Sequence, residues 1–216
     1  MSPGYRPPAG PVGILHGDRH IVVVAKPPGL LSVPGRGADK ADCLEARVAA
    51  LMPGARAVHR LDMETSGLMV LARTAAAHRT LSIAFAERRI EKAYVAEIAG
   101  CMQVQAGEID LPLITDWPNR PRQKVDHETG KPSLTRYQCL AVTPERSRVR
   151  LVPVTGRTHQ LRVHLAEIGH PILGDRLYAP PRVCRAAPRL QLHAETLGFA
   201  HPETGAPLRF SAPAPF

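Results

Sequence analysis

The stretch His59-Arg60-Leu61-Asp62-Met63-Glu64-Thr65-Ser66-Gly67, running at once into Leu68-Met69-Val70-Leu71-Ala72, constrains the fold more than any other part of this chain. An unbroken apolar run after a Thr-Ser-Gly bend has the character of a strand buried on both faces. The charged segment entering it must then lie at the strand's end, where a rigid sheet can present a reactive loop. Taken alone, Asp62 is an ordinary turn residue, because Asp, Ser and Gly all favour turns.

The flanking sequence extends the pattern. Ile21-Val22-Val23-Val24-Ala25, stopped by Lys26-Pro27-Pro28-Gly29, predicts a strand ending in a turn. Asp42 is expected to cap a helix with Leu44, Val48 and Leu51 on one face, ended by Pro53-Gly54. A second helix is expected after Thr74, with Leu81 and Phe85 inward. Tyr94, Ala96 and Ile98 alternate with Ala93, Val95 and Glu97 as a strand would, and Arg148 to Val152 alternate before Pro153 and Thr155-Gly156 turn the chain. From Thr158, Leu161, Leu165 and Ile168 repeat at helical spacing up to Gly169, placing Arg162 early in a helix beside its apolar stripe. Helices and strands interleave without strict βαβ alternation, which predicts an α+β fold. Residues 1–11 are Pro- and Gly-rich and read as a flexible tail, 12–216 as one folded domain, and Ala179 to Arg189 as a surface excursion.

A formal net charge of +9 favours a polyanionic partner, although a basic surface also serves solubility. Cys43, Cys101, Cys139 and Cys184 form no C-x-x-C pair and read as reduced cytoplasmic thiols. No apolar run has signal-peptide or bilayer-spanning length, so neither export nor a membrane partner is expected. His159, His164 and His170, with Glu167 nearby, invite a metal reading, but the i, i+5 spacing of His159 and His164 does not stack two ligands on one helical face. They are expected to make structural hydrogen bonds. Gly35 and Gly37 belong to no phosphate-binding fingerprint, and no cofactor is expected.

The segment around Asp62 resembles the signature of the RluA family of pseudouridine synthases. A second signature is similar at Pro153-Val154-Thr155-Gly156-Arg157-Thr158-His159-Gln160-Leu161-Arg162-Val163-His164, continuing to Gly169-His170-Pro171-Ile172-Leu173-Gly174-Asp175. Between them, Lys92-Ala93-Tyr94-Val95-Ala96 matches the family's tyrosine strand. The segment Asp110 to Lys124, containing Trp117-Pro118-Asn119-Arg120-Pro121, resembles the branch acting on both 23S rRNA and the tRNA anticodon stem-loop. The resemblance, spanning about Val12 to Ala214, implies a bent, largely antiparallel central sheet flanked by helices and loops. Longer relatives carry a separate RNA-binding domain, for which the residues before the first strand leave no room.

The same resemblance implies site roles. Asp62 matches the catalytic aspartate, either attacking C1′ of the uridine or removing its C2′ proton. Arg162 is placed against it as a bidentate partner, where composition alone favours a solvent-facing arginine on an amphipathic helix. Tyr94 is expected to stack on the detached uracil, although an aromatic on a strand is more often core. Arg60 is expected to fill the stack left by a flipped uridine, and Arg120, Arg122 and Lys124 to contact phosphates. The expected partners are 23S rRNA and tRNA stem-loops, with no obligate protein partner. The alternatives are a synthase for a single rRNA site, a catalytically silent RNA-binding module, and a nucleosidase-like hydrolase in which water captures C1′.

Overall fold

The structure, a computed structural model, describes residues 4–216. The residues 12–216, expected to form one domain, fall into two compact units: the chain up to Glu91 with Ala194–Pro215, and Lys92–His193 with Phe216.

The first unit starts with the antiparallel pair β1 (Gly13–Gly17) and β2 (Ile21–Lys26), followed by α1 (Leu44–Leu51), β3 (Arg56–Ala57), β4 (Ser66–Ala72) and α2 (Ala75–Ala86). β2 and β4 pair antiparallel in the register Val23↔Val70. Every residue of β4 is buried, as an unbroken apolar run demands. The helix expected after Thr74 is α2, and it begins where Thr74 Oγ1 accepts from the Ala77 N–H at 3.1 Å as its cap. Its Ala77, Leu81 and Ala84 join Ile21, Val23, Leu68 and Val70 in one core.

The expectations for α1 are corrected. Asp42 does not cap α1: its carboxylate is taken by Arg47 at 2.7 Å on each oxygen, and the Cys43 sulfur accepts from Ala46 instead. Leu44 and Val48 are buried but Leu51 is 61% exposed, so the expected apolar face stops one turn short. Among its described residues, the segment read as a flexible tail has no helix or strand and is fastened by side-chain hydrogen bonds. The Tyr5 hydroxyl donates to the Asp42 carbonyl and accepts from the Leu31 N–H, while Arg47 donates to the carbonyls of Pro8 and Gly10. The first three residues of that segment lie outside the described residues.

The second unit contains β5 (Glu91–Ala99), β6 (Ala106–Asp110), β7 (Leu113–Thr115), β8 (Gln123–Val125), β9 (Leu134–Val142), β10 (Arg146–Pro153), α3 (Gln160–Glu167) and α4 (Pro181–Arg185). β5, β10, β9 and β6 neighbour one another in that order, each pair antiparallel, and β7 with β8 forms a separate hairpin. β10 buries Ser147, Val149, Leu151 and Pro153, the alternation its sequence predicts. α3 lays Leu161 and Leu165 on this sheet's core and ends at Gly169, whose φ of 82° is open to glycine. The chain then returns through β11 (Leu192–Ala200) and β12 (Pro207–Ser211), which pair antiparallel in the first unit, where β11 neighbours β4. The fold is α+β with a largely antiparallel sheet.

Candidate active site

Asp62 is half-buried on a loop whose backbone is fastened on both sides of it. Before it, the Ser32 hydroxyl donates to the Leu61 carbonyl at 2.7 Å and accepts from the Leu61 N–H at 3.1 Å. After it, the Met63 carbonyl accepts from the Gly29 N–H at 2.8 Å and from Lys26 Nζ at 2.9 Å. The Thr65 N–H closes the turn onto the Asp62 carbonyl at 3.1 Å. Upstream, His59 Nε2 accepts from the Val70 N–H at 3.1 Å while its ring stacks on Phe85 at 4.4 Å. Accepting at Nε2 requires the neutral ring with its proton on Nδ1. Gly67 has a φ of 115°, and a Cβ there would collide with the Ala194 backbone, so only glycine lets β4 and β11 approach beneath the loop.

Lys26 is the least expected member of this arrangement. It is 1% exposed, and its Nζ also donates to the carbonyls of Pro27 at 2.9 Å and Leu30 at 2.8 Å. Burial pushes its ammonium down to about 7, while the charges of Asp62 and Glu64 pull it back up. Three carbonyl acceptors engage all three protons of the charged form. Lys26 thus joins the turn after β2 to the Asp62 loop and places a cation near its carboxylate. Arg60, on the same loop, is exposed.

The second unit holds the other candidates. Tyr94 lies on β5 opposite Leu151, partly buried against the core. Arg162 is not on a solvent-facing helix surface: α3 is buried from Gln160 to Leu165, and Arg162 is 3% exposed. The loop delivering it is organised by Gln160, whose side chain accepts from Thr155 Oγ1 at 2.7 Å and from the Arg157 N–H at 3.0 Å, and donates to the Leu134 carbonyl at 3.0 Å. Within this unit the partner of Arg162 is Asp175: Nε donates to Oδ2 at 2.8 Å and Nη2 to Oδ1 at 2.7 Å. Although burial raises the Asp175 carboxyl, Arg162 and the N–H groups of Leu177 and Tyr178 hold it below the usual carboxylate range. Gly174, just before it, packs so closely on the Arg189 carbonyl that a side chain would not fit.

Tyr178 links Arg162 to the basic hairpin. Its ring lies 5.1 Å from the Arg162 guanidinium and 5.4 Å from that of Arg122, and its hydroxyl accepts from the Gln123 N–H at 2.8 Å. The same hydroxyl is 2.6 Å from His159 Nδ1. Lys124 pairs with Asp126 at 3.4 Å, and Arg120 stacks on Trp117. His164 Nε2 and His170 Nδ1 lie 3.0 and 2.9 Å from the carbonyls of Leu111 and Ala99. Among the described residues, no group of three His, Cys, Asp or Glu side chains is arranged to hold a metal ion.

The structure therefore groups Arg60 and Asp62 with Lys26 and Ser32 in one unit, and Arg162 and Arg122 around Tyr178 in the other, where Arg120 and Lys124 lie instead against Trp117 and Asp126. Lys26, Ser32, Asp175 and Tyr178 were not among the candidates drawn from the sequence. The available signals were a lysine closing an apolar strand and an aspartate directly after a constrained glycine.

A family model described as RNA pseudouridylate synthase matches residues 20–167. Curated relatives described as dual-specificity RNA pseudouridine synthase RluA, from Salmonella typhimurium and Escherichia coli K12, are each 52% identical over 214 residues, covering 98% of both chains. Among solved structures, human RNA pseudouridylate synthase domain containing 1 superposes with a TM-score of 0.79 at 31% identity, covering 98% of this chain and 87% of its own. Human RNA pseudouridylate synthase domain containing 4 gives 0.74 at 27% identity, covering 94% and 88%. With the fold, the signatures and these likenesses in agreement, the chain belongs to the RNA pseudouridylate synthase family.

Proposed function

We propose that this pseudouridine synthase is dual-specific, isomerising one uridine in 23S rRNA and one in the tRNA anticodon stem-loop. The observation that carries this reading is 52% identity across 98% of both chains to relatives named dual-specificity RNA pseudouridine synthases. The reaction breaks N1–C1′, turns the uracil, joins C5 to C1′, and exchanges the C5 proton for one on N1. It is redox-neutral and calls for no cofactor.

Asp62 is the proposed catalytic carboxylate, by attack on C1′ or by removal of the C2′ proton. A loop fastened at Leu61 and Met63 suits that task, because a reacting group must be held in place before the substrate arrives. Arg162 is the proposed catalytic cation, its guanidinium oriented by Asp175. Tyr94 is assigned to the detached base, its ring for stacking and its hydroxyl for the C5 proton. Arg60, exposed beside Asp62, is assigned to the vacated place in the RNA stack, and Arg120, Arg122 and Lys124 to phosphates. No helix among the described residues is long and apolar enough to cross a membrane, and we place the enzyme in the cytoplasm with its RNA substrates.

Pseudouridine mapping of total RNA from cells with and without the gene tests the reading. Loss of one rRNA and one tRNA modification is expected. Loss of an rRNA site alone would reduce the function to a single-site synthase, and no lost site would reject the proposal.

A further inference from the structure

Trp117, the only tryptophan of the chain, is 64% exposed at the tip of the β7–β8 hairpin. Its edge and the face that Arg120 leaves open are turned to solvent. The tip around it is ordered. The Asp116 N–H donates to the Arg122 carbonyl at 3.0 Å, Asn119 Nδ2 donates to Asp116 Oδ2 at 2.9 Å, and the Asn119 N–H closes a 3-10 turn onto the Asp116 carbonyl at 3.1 Å. The Arg120 guanidinium lies over the indole, 4.4 Å from its ring centre. One face of the ring is therefore occupied by a cation, and the exposure belongs to the other face and the edge.

We propose that Trp117 is a stacking platform for an unpaired base of the RNA substrate, with Arg120 and Arg122 taking the phosphates beside that base. Three observations favour a nucleobase over an apolar protein surface. Trp117 is the only exposed large hydrophobic side chain of the hairpin among the described residues, so the exposed apolar feature there is one flat ring beside two prolines. The ring already carries a guanidinium over one face, a cation that also suits the phosphates flanking a stacked base. Cations follow it at Arg120, Arg122 and Lys124, against Asp116 and the Asp126 that neutralises Lys124. A stacking aromatic reads no sequence, since every base has a π-face. It does select unpaired bases over paired ones, a discrimination suited to an enzyme that finds a loop in two different RNAs. The inference rests on the proposed RNA substrate and adds the element that would distinguish loop from stem.

The single tryptophan makes the test direct. The intact protein is titrated with an anticodon stem-loop RNA and with a blunt duplex of the same stem, binding being followed by anisotropy of labelled RNA and stacking by indole emission. Emission should be quenched to saturation by the stem-loop, with little change when the duplex is bound to the same extent. Trp117→Ala should weaken stem-loop binding by about tenfold or more, Trp117→Phe by less than about threefold, and duplex binding should change in neither. Tight stem-loop binding without quenching, or an unaltered affinity in Trp117→Ala, would overturn the platform while leaving the synthase reading intact. Failure to bind or modify any RNA would overturn both. Dimerisation lost in Trp117→Ala, with unchanged RNA affinity, would assign the face to a second copy instead.

Discussion

Replacing Asp175 by Asn asks whether Arg162 is held by charge or merely by shape. Asp175 is 1% exposed and Arg162 3%, so neither group is helped by water. Oδ2 accepts from Arg162 Nε, while Oδ1 accepts from Arg162 Nη2 and from the N–H groups of Leu177 and Tyr178. An amide keeping its oxygen at the Oδ1 position retains three of these donors and sets its NH2 against the Nε–H. The lost charge-assisted hydrogen bond costs about 1.5–3 kcal/mol. Loss of the Asp175 counter-charge from a buried guanidinium brings the total to about 3–5 kcal/mol. With a urea m-value of roughly 2 kcal/mol per molar, the unfolding midpoint should fall by roughly 1.5–2.5 M. Steady-state kinetics on a stem-loop substrate should show a reduced kcat with a smaller change in KM, because Arg162 is misplaced rather than removed. Combining Asp175→Leu with Arg162→Met removes both charges and should be more stable than Asp175→Leu alone while remaining inactive. A loss below about 0.5 kcal/mol with unchanged kcat, or a double variant no more stable than Asp175→Leu, would refute the argument, since surface-like behaviour is what an unimportant pair shows.

Asp62→Asn should keep the fold and RNA affinity and lose at least about 10⁴ in rate, because an amide is neither nucleophile nor effective base; substantial product in a single-turnover assay would remove Asp62 from the chemistry. Lys26 is held down to about 7 by burial, against the 10.5 of an ordinary lysine, so between these pH values the unfolded chain carries a proton that the folded chain has released. Stability should therefore rise with pH across that window by up to about 1.4 kcal/mol per unit, and Lys26→Met should abolish this contribution; equal slopes in denaturant unfolding at pH 7 to 9.5 would contradict it. Joint replacement of Arg120, Arg122 and Lys124 by Ala should weaken stem-loop binding and flatten the dependence of log K on log salt by roughly 2. An unchanged slope with unchanged turnover would detach the hairpin from the RNA.

What was legible in the sequence is local. The strand at Ile21–Lys26, the buried run of β4, the helix after Thr74 and the stop at Gly169 each depend on residues within a turn or two, so periodicity and turn chemistry reveal them. Where local rules offered two uses for one side chain, they did not decide between them. Asp42 is as competent a cap as Cys43, but Arg47 one turn on is a stronger partner than a backbone N–H. The Pro- and Gly-rich start gives no sign of order because its fastening comes from Asp42, Leu31 and Arg47.

By itself, the sequence determined the α+β class, the family and the residue types that carry the chemistry, because these reside in short patterns whose spacing survives without coordinates. Tertiary structure alone decided how those residues are held. Lys26 and Met63 are 37 positions apart, as are Tyr5 and Asp42, and Arg162 meets Asp175 across 13. Such pairings are set by which elements pack together, and no local periodicity encodes them. Burial follows the same rule: an arginine on a helix and a lysine at a strand end are solvent-facing by composition. They are buried in this protein only where folding supplies three carbonyls to one and a carboxylate to the other.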